Sequence, residues 1–237
     1  MTARTLDTEP LDPTIGSPPT ADPPPSARGA RQRQRRLLLA APLAAALALR
    51  AAPARAEGAL RPTPRQSKGP YYPLQVPRDA GSDLVIERDG RRAEGELAIV
   101  EGVVQDTAGT PLANASVEIW QCNARGRYHH PMDRAGAPID PLFRAYGRTL
   151  TDAQGRYRFR TIRPVAYTGR TPHIHFQITT AAGGSLVTQL YVRGAPENAA
   201  DGLLSGLSPA DADRLLGDFV RQADGSWRVR FDPVLAA

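Results

Sequence analysis

From Leu97 onward, apolar and polar residues alternate with a period of two in short runs, the pattern of half-buried strands. The runs are Leu97–Asp106 (LAIVEGVVQD), Ala115–Asn123 (ASVEIWQCN), Tyr157–Ile162 (YRFRTI), His173–Thr180, Ser185–Val192 and Trp227–Val234. Turn residues separate them: Thr107–Thr110 (TAGT), Asp152–Gly155 (DAQG) and the pair Gly183-Gly184, which predicts a hairpin. One short C-terminal helix is predicted, with Ser208 as cap, Pro209 in its first turn, Asp211 three residues past the cap, and Leu215, Leu216, Phe219 and Val220 as its apolar stripe. Six short strands with Gly/Pro turns predict an all-β antiparallel sandwich over residues 97–237.

Ahead of the sandwich the pattern changes. Residues 57–96 are rich in turns and proline and predict an extended N-terminal arm. Residues 1–30 are rich in Pro, Thr, Asp and Ala without apolar periodicity, a disorder-type composition. The pair Arg35-Arg36 then precedes an apolar run, Leu37–Leu49, of 13 residues interrupted by Pro42, too short to span a bilayer and suited to a signal sequence. Ala54-Arg55-Ala56 places small residues where a signal peptidase reads them. Residues 1–56 therefore predict a twin-arginine-type export signal, and a periplasmic or secreted protein without a stable membrane anchor.

The net charge of +6 does not make the sandwich a nucleic-acid binder. Residues 1–56 carry eight Arg against four acids, so most of the excess belongs to the export segment, and no basic stripe with interleaved aromatics follows it. The single cysteine, Cys122, excludes an intrachain disulfide and reads as a small buried residue. No phosphate-binding glycine loop and no nucleophile elbow is present.

The candidate chemistry lies in Thr171-Pro172-His173-Ile174-His175-Phe176. Residues i and i+2 of a strand share a face, so His173 and His175 present two imidazoles together, half of a metal site. Zinc, copper, iron and nickel all accept imidazole. No Asp or Glu adjoins the pair to complete a zinc or ferrous site, and the candidates that remain are Tyr128 and Tyr167, each in a polar loop. Phenolate is a hard anionic donor that a trivalent ion such as Fe(III) favours.

Five segments in this order carry a resemblance: TPRQSKGPYYP (63–73), VEIWQCNARGRYHH (117–130), FRAYGRTLTDAQGRYRFRTIRPVAY (143–167), RTPHIHF (170–176) and TQLYVRG (188–194). Together they resemble the intradiol ring-cleavage dioxygenases, the protocatechuate 3,4- and catechol 1,2-dioxygenase group. The resemblance implies a non-haem Fe(III) centre with Tyr128, Tyr167, His173 and His175 as ligands and Tyr167 as a catalytic proton acceptor. It further implies Arg170 as a catalytic arginine over the substrate, Gln189 and Tyr191 beside the iron, and Trp120 and Tyr71 bordering the substrate pocket. His129 and His130 read as loop residues near the site. The implied reaction joins a small aromatic diol and O2, without nucleic acid, and is compatible with a homo-oligomer. Two departures leave the ring substituents open: only Thr168 and Gly169 separate Tyr167 from Arg170, where protocatechuate enzymes carry a longer tryptophan-bearing loop, and the helical N-terminal domain of catechol 1,2-dioxygenases is not seen.

A second resemblance competes. The pattern Gly102-x-Val104, Asp106-x-x-Gly109-x-Pro111-Leu112, Ala115-x-Val117 recurs in transthyretin-like sandwich modules that only bind carbohydrate or protein. The two tyrosines and two histidines discriminate, since a binding module has no reason to assemble them.

Replacing Arg35 and Arg36 together by lysine is expected to hold the full chain in the cytoplasm of a bacterial host, checked by cell fractionation. Undiminished export of the variant would contradict the assignment.

Overall fold

The computed structural model describes residues 58–236; the predicted export segment lies outside them. Thirteen strands occur in chain order: β1 (Glu87–Arg88), β2 (Arg91–Arg92), β3 (Leu97–Val103), β4 (Gln105–Asp106), β5 (Ser116–Trp120), β6 (Tyr146–Leu150), β7 (Arg156–Ile162), β8 (His173–Thr179), β9 (Ser185–Val192), β10 (Leu216–Gly217), β11 (Val220–Arg221), β12 (Trp227–Arg230) and β13 (Val234–Leu235). A 3-10 turn (Pro196–Ala200) and two short helices, α1 (Gly202–Ser205) and α2 (Pro209–Asp213), lie between β9 and β10.

The larger sheets have five strands, in the order β10-β9-β8-β5-β6, and four, in the order β11-β12-β3-β7. Their facing sides bury the predicted alternating residues. Val100 from β3 and Phe159 from β7 meet Val117 and Ile119 from β5 and Ile174, Phe176 and Ile178 from β8 in one core. Arg156, Arg158 and Arg160, interleaved along β7, point away from it. The Gly183-Gly184 hairpin forms as its composition predicts: Thr180 N–H donates to Gly184 O at 2.8 Å, and Gly183 adopts φ +88°.

Strand β8 departs from simple alternation. His173, Ile174, His175 and Phe176 are all buried. Ile174 and Phe176 face the core, so His173 and His175 occupy the outer face of the five-stranded sheet. That face is dry because the N-terminal arm lies across it. Gln66 N–H donates to Val187 O at 2.9 Å, Thr188 Oγ1 to Pro64 O at 2.7 Å, and Gln189 Nε2 to Ser67 O at 3.0 Å. Further along, the segment predicted as arm joins the core itself, burying Leu84, Val85 and Ala93.

Two expectations are corrected. Ser208 caps α2 as predicted, its Oγ accepting from Asp211 N–H at 3.1 Å, but the helix ends after Asp213. Leu216 and Gly217 instead pair in parallel with Tyr191 and Val192 of β9. The sheet edge offers those residues a ladder that a single extra helical turn cannot match. The sandwich is also not wholly antiparallel, since β12 runs parallel to β3 and β10 to β9. Strand β6, with Gly147 and exposed Arg148 and Leu150, carries too weak an apolar pattern to be seen in sequence, yet it pairs along its length with β5.

Close packing of the sheets fixes a sharp expectation at Gly102. A Cβ there would sit 1.7 Å from the Phe231 carbonyl oxygen. Gly102→Ala is expected to cost about 3 kcal/mol or more in denaturant unfolding. Gly136→Ala, with nothing within 4 Å, is expected to leave the midpoint nearly unchanged. Equal midpoints for the two variants would refute this packing.

Candidate active site

Four side chains from three stretches of chain converge on the outer face of the five-stranded sheet. Tyr128 follows β5, Tyr167 stands in the loop after β7, and His173 and His175 open β8. Ring centroids lie 5.2 Å apart for Tyr128–Tyr167, 5.5 Å for Tyr167–His173, 4.7 Å for His173–His175 and 6.4 Å for Tyr128–His175.

Local chemistry sets each ring. Tyr128 N–H donates to Asp133 Oδ2 at 2.6 Å, which ties the loop down behind the phenol. Gly126, at φ +75°, brings this loop against Tyr167, whose Cβ would be 3.3 Å from any Cβ placed at 126. His173 Nδ1 lies 2.7 Å from the Thr171 carbonyl. A carbonyl only accepts, so Nδ1 carries the proton and Nε2 presents a lone pair. His175 stacks on Trp120 at 4.8 Å with the ring planes 4° apart, and Gly69 of the arm covers its other side, where a Cβ would meet Cε1 at 3.2 Å.

The arrangement leaves polar atoms without partners. The two Nε2 atoms are 3.2 Å apart. Tyr128 Oη and His175 Nδ1 are buried with no hydrogen-bond partner. If His175 Nε2 carries a proton toward His173, its own Nδ1 lone pair is orphaned; if Nδ1 carries it, two lone pairs face each other. Either state is costly in a dry site, and a cation between the two Nε2 atoms would relieve the facing lone pairs of the second.

Electrostatics agree. Burial, reinforced by the neighbouring Tyr167, raises the Tyr128 phenol well above its usual pKa. Burial also raises Tyr167, with Arg170 opposing it. Burial lowers His173 to about 4 and His175 well below the usual imidazole range, Arg170 adding to the effect in both and His173 adding to it in His175. The four groups are thus neutral at pH 7 on their own. No group of three His, Cys, Asp or Glu gathers among the described residues, so anionic donation to a cation at this site would fall to the phenols. Two phenols and two imidazoles fit a highly charged hard cation, which would ionise the phenols that burial keeps protonated.

The remaining predicted residues surround this quartet, several in other postures than expected. Tyr71 stacks on Tyr128 at 4.7 Å. Trp120, 1% exposed, backs the His175 ring instead of lining open space. Gln189 and Tyr191 are fully buried and serve Arg170: Arg170 Nη2 donates to Gln189 Oε1 at 2.6 Å and approaches Tyr191 Oη at 3.5 Å. Tyr191 Oη donates in turn to Gln66 Oε1 at 2.7 Å. Cys122 is buried, and burial pushes its thiol up to about 12.

Sequence reasoning missed Asp201, Gln66 and Gly69. Asp201 stands apart from every quoted motif, and only its position as the cap of α1 could have drawn notice. Burial acts to raise its pKa, but the Arg170 guanidinium and backbone N–H donors outweigh it and hold the carboxyl below the usual range.

A cavity of about 220 Å³ opens beside Tyr167, Gly169, Arg170 and Thr171. The short turn at Thr168-Gly169 leaves this side uncovered. A larger cavity of about 570 Å³ lies between Glu101 and Arg158 at the sandwich edge. Its charges are already paired, as in Arg158–Glu101 and Arg156–Asp152, both at 2.7 Å, and none of the four converging residues lines it, whereas Tyr167 lines the smaller one.

Residues 67–237 match the family model described as Dioxygenase (Dioxygenase_C). The chain is 47% identical over 133 residues to a protocatechuate 3,4-dioxygenase beta chain of Burkholderia cepacia, covering 53% of this chain and 57% of that one. It is 34% identical over 175 residues to a hydroxyquinol 1,2-dioxygenase of Corynebacterium glutamicum, covering 61% and 55%. It thus spans little more than half the length of these curated relatives. Among solved structures, the dioxygenase domain of a dioxygenase–carbohydrate-binding fusion from Streptomyces sp. SirexAA-E superposes with a TM-score of 0.59 at 32% identity, covering 75% of this chain and 99% of that one.

The lowered histidines set an acid limit. Between pH 6.5 and about 4 the unfolded chain binds protons at these positions and the folded chain does not. Metal-free protein is therefore expected to lose stability as pH falls through that window, read as a dropping melting temperature. The double variant His173→Gln/His175→Gln should show a flatter profile there; an unchanged slope would contradict the buried neutral pair.

Proposed function

The chain belongs to the intradiol ring-cleavage dioxygenase family, and on that footing we propose that it is a non-haem Fe(III) enzyme. It would use O2 to cleave a catechol-type ring between the two hydroxylated carbons, giving a cis,cis-muconate-type product. The observation that carries this reading is the convergence of Tyr128, Tyr167, His173 and His175, with the Tyr128 phenol oxygen buried and unpartnered and the two imidazole Nε2 atoms 3.2 Å apart. Fe(III) held by these four side chains supplies Lewis acidity toward both catechol oxygens and renders the ring reactive toward O2.

The chain's own residues divide the remaining work. Tyr128 is buried and walled by Tyr71, so it is the fixed phenol. Tyr167 is half-buried and lines the 220 Å³ cavity, so its Oη is placed to take a proton from an entering catechol hydroxyl. Arg170 Nε and Nη2 are engaged with Asp201 and Gln189, whereas Nη1 makes no hydrogen bond. Its free N–H groups are the donors for negative charge growing on the ring. Both oxygen atoms of O2 end in the product and the ring carbons are oxidised, so no external reductant is needed. The same family footing supports a transthyretin-like topology for the sandwich, and Arg35-Arg36 ahead of the apolar run supports action outside the cytoplasm. The competing reading as a pure binding module gives no account of the unpartnered phenol and imidazole.

Oxygen uptake by the full chain with catechol, protocatechuate and hydroxyquinol tests the proposal. The expected result is one O2 consumed per ring opened, with both labelled oxygen atoms recovered in the acid product. Tyr167→Phe is expected to retain iron and lower kcat by about 100-fold, and His175→Ala to lose the iron. Catechol turnover at wild-type rate by Tyr167→Phe would remove its role, and no uptake with any catechol would overturn the activity.

A further inference from the structure

Resting on the reading of Arg170 as the donor that meets the reacting ring, we infer that Asp201 is the positioning residue for that arginine. Its side chain is 0% exposed and collects four donors: Arg170 Nε at 2.8 Å, Thr171 N–H at 3.0 Å, Leu203 N–H at 3.0 Å and Leu204 N–H at 3.1 Å. Oδ2 takes the first two and Oδ1 the last two. One carboxylate thus fixes the guanidinium, the backbone two residues before His173, and the start of α1.

The consequence for Arg170 is directional. A guanidinium is a rigid planar fork. With Nε held by Asp201 and Nη2 by Gln189, its plane and rotation are set, and the one edge left over is Nη1. Beyond these two bonds the guanidinium has only the longer contact of Nη2 with Tyr191 Oη at 3.5 Å to keep it from swinging out over the adjoining cavity. The neighbouring chain reinforces the clamp: Thr171 Oγ1 donates to Asn198 Oδ1 at 2.7 Å, and Asn198 Nδ2 to Val192 O at 2.9 Å. Asp201 bonds none of the four predicted metal donors, and of the residues lining the cavity it holds Arg170 by its side chain and Thr171 only by its backbone N–H, so its effect on the reaction passes through Arg170.

Asp201→Asn keeps the helix cap through Oδ1 but offers no second oxygen to Arg170 Nε or to Thr171 N–H, and the double variant with R170A separates the two losses. Turnover is measured per bound iron in wild type, D201N, R170A and the double variant R170A/D201N. The expected result is iron content near wild type in D201N, kcat per iron down by about 100-fold, and a double variant no slower than R170A alone. A merely structural role would lower iron content or melting temperature and leave kcat per iron unchanged, and either that or additive losses in the double variant would overturn the inference. A readout independent of activity is the Arg170 Nε–H in 15N-labelled protein. It is expected to be protected from exchange in wild type and unprotected in D201N. That pair of results upholds the tether even where wild type turns over no catechol, a failure that would strike only the functional reading. An unprotected Nε–H in wild type overturns the tether outright, and decides the matter should D201N not fold.

Discussion

Everything distinctive about this molecule follows from one constraint: two imidazoles on the outer face of a sheet are kept out of water. A strand in a sandwich ordinarily turns its alternate residues to solvent. Here β8 turns Ile174 and Phe176 to the core and His173 and His175 the other way, and all four are buried. The burial is made by the arm, whose backbone bonds to β9 and whose Gly69 rests on the His175 ring. Dryness holds both rings neutral, keeps the Tyr128 phenol protonated, and makes its unpartnered oxygen costly.

Rigidity on one side of the site contrasts with openness on the other. The His175 imidazole is pressed between Trp120 and Gly69, and Tyr128 lies under Tyr71. Tyr167 and Arg170 stand on a two-residue turn beside a cavity. The groups read as permanent ligands are locked by packing, whereas the groups that must meet a substrate are held by hydrogen bonds that leave one edge free. That division matches what ring cleavage asks of a scaffold: a fixed half that keeps the metal and a receptive half that admits the diol.

The sandwich was largely legible because its strands are half-buried and alternate. LAIVEGV and YRFRTI announce themselves by period. The His pair was legible for the same reason, since i and i+2 on a strand need no tertiary knowledge to share a face. The two tyrosines were legible only in part: the missing carboxylate pointed to loop phenols, but nothing local marks a loop phenol as a ligand, and the resemblance alone assigned them that role. The helix expected at Leu215–Val220 failed where a sheet edge captured Leu216 and Gly217, a decision made by tertiary pairing. Asp201 was invisible because its partners lie 30 and 31 residues upstream, at Thr171 and Arg170, and no spacing rule links a helix cap to a distant guanidinium.

The proposed activity depends on four side chains holding one ferric ion through two phenolates. Resonance Raman spectra of the iron-reconstituted protein, excited in its visible absorption band, report on those phenolates most directly. Tyrosinate vibrations that diminish in Tyr128→Phe are expected. Folded protein that takes up no ferric ion, or that binds iron without any tyrosinate signal, would contradict that ligation.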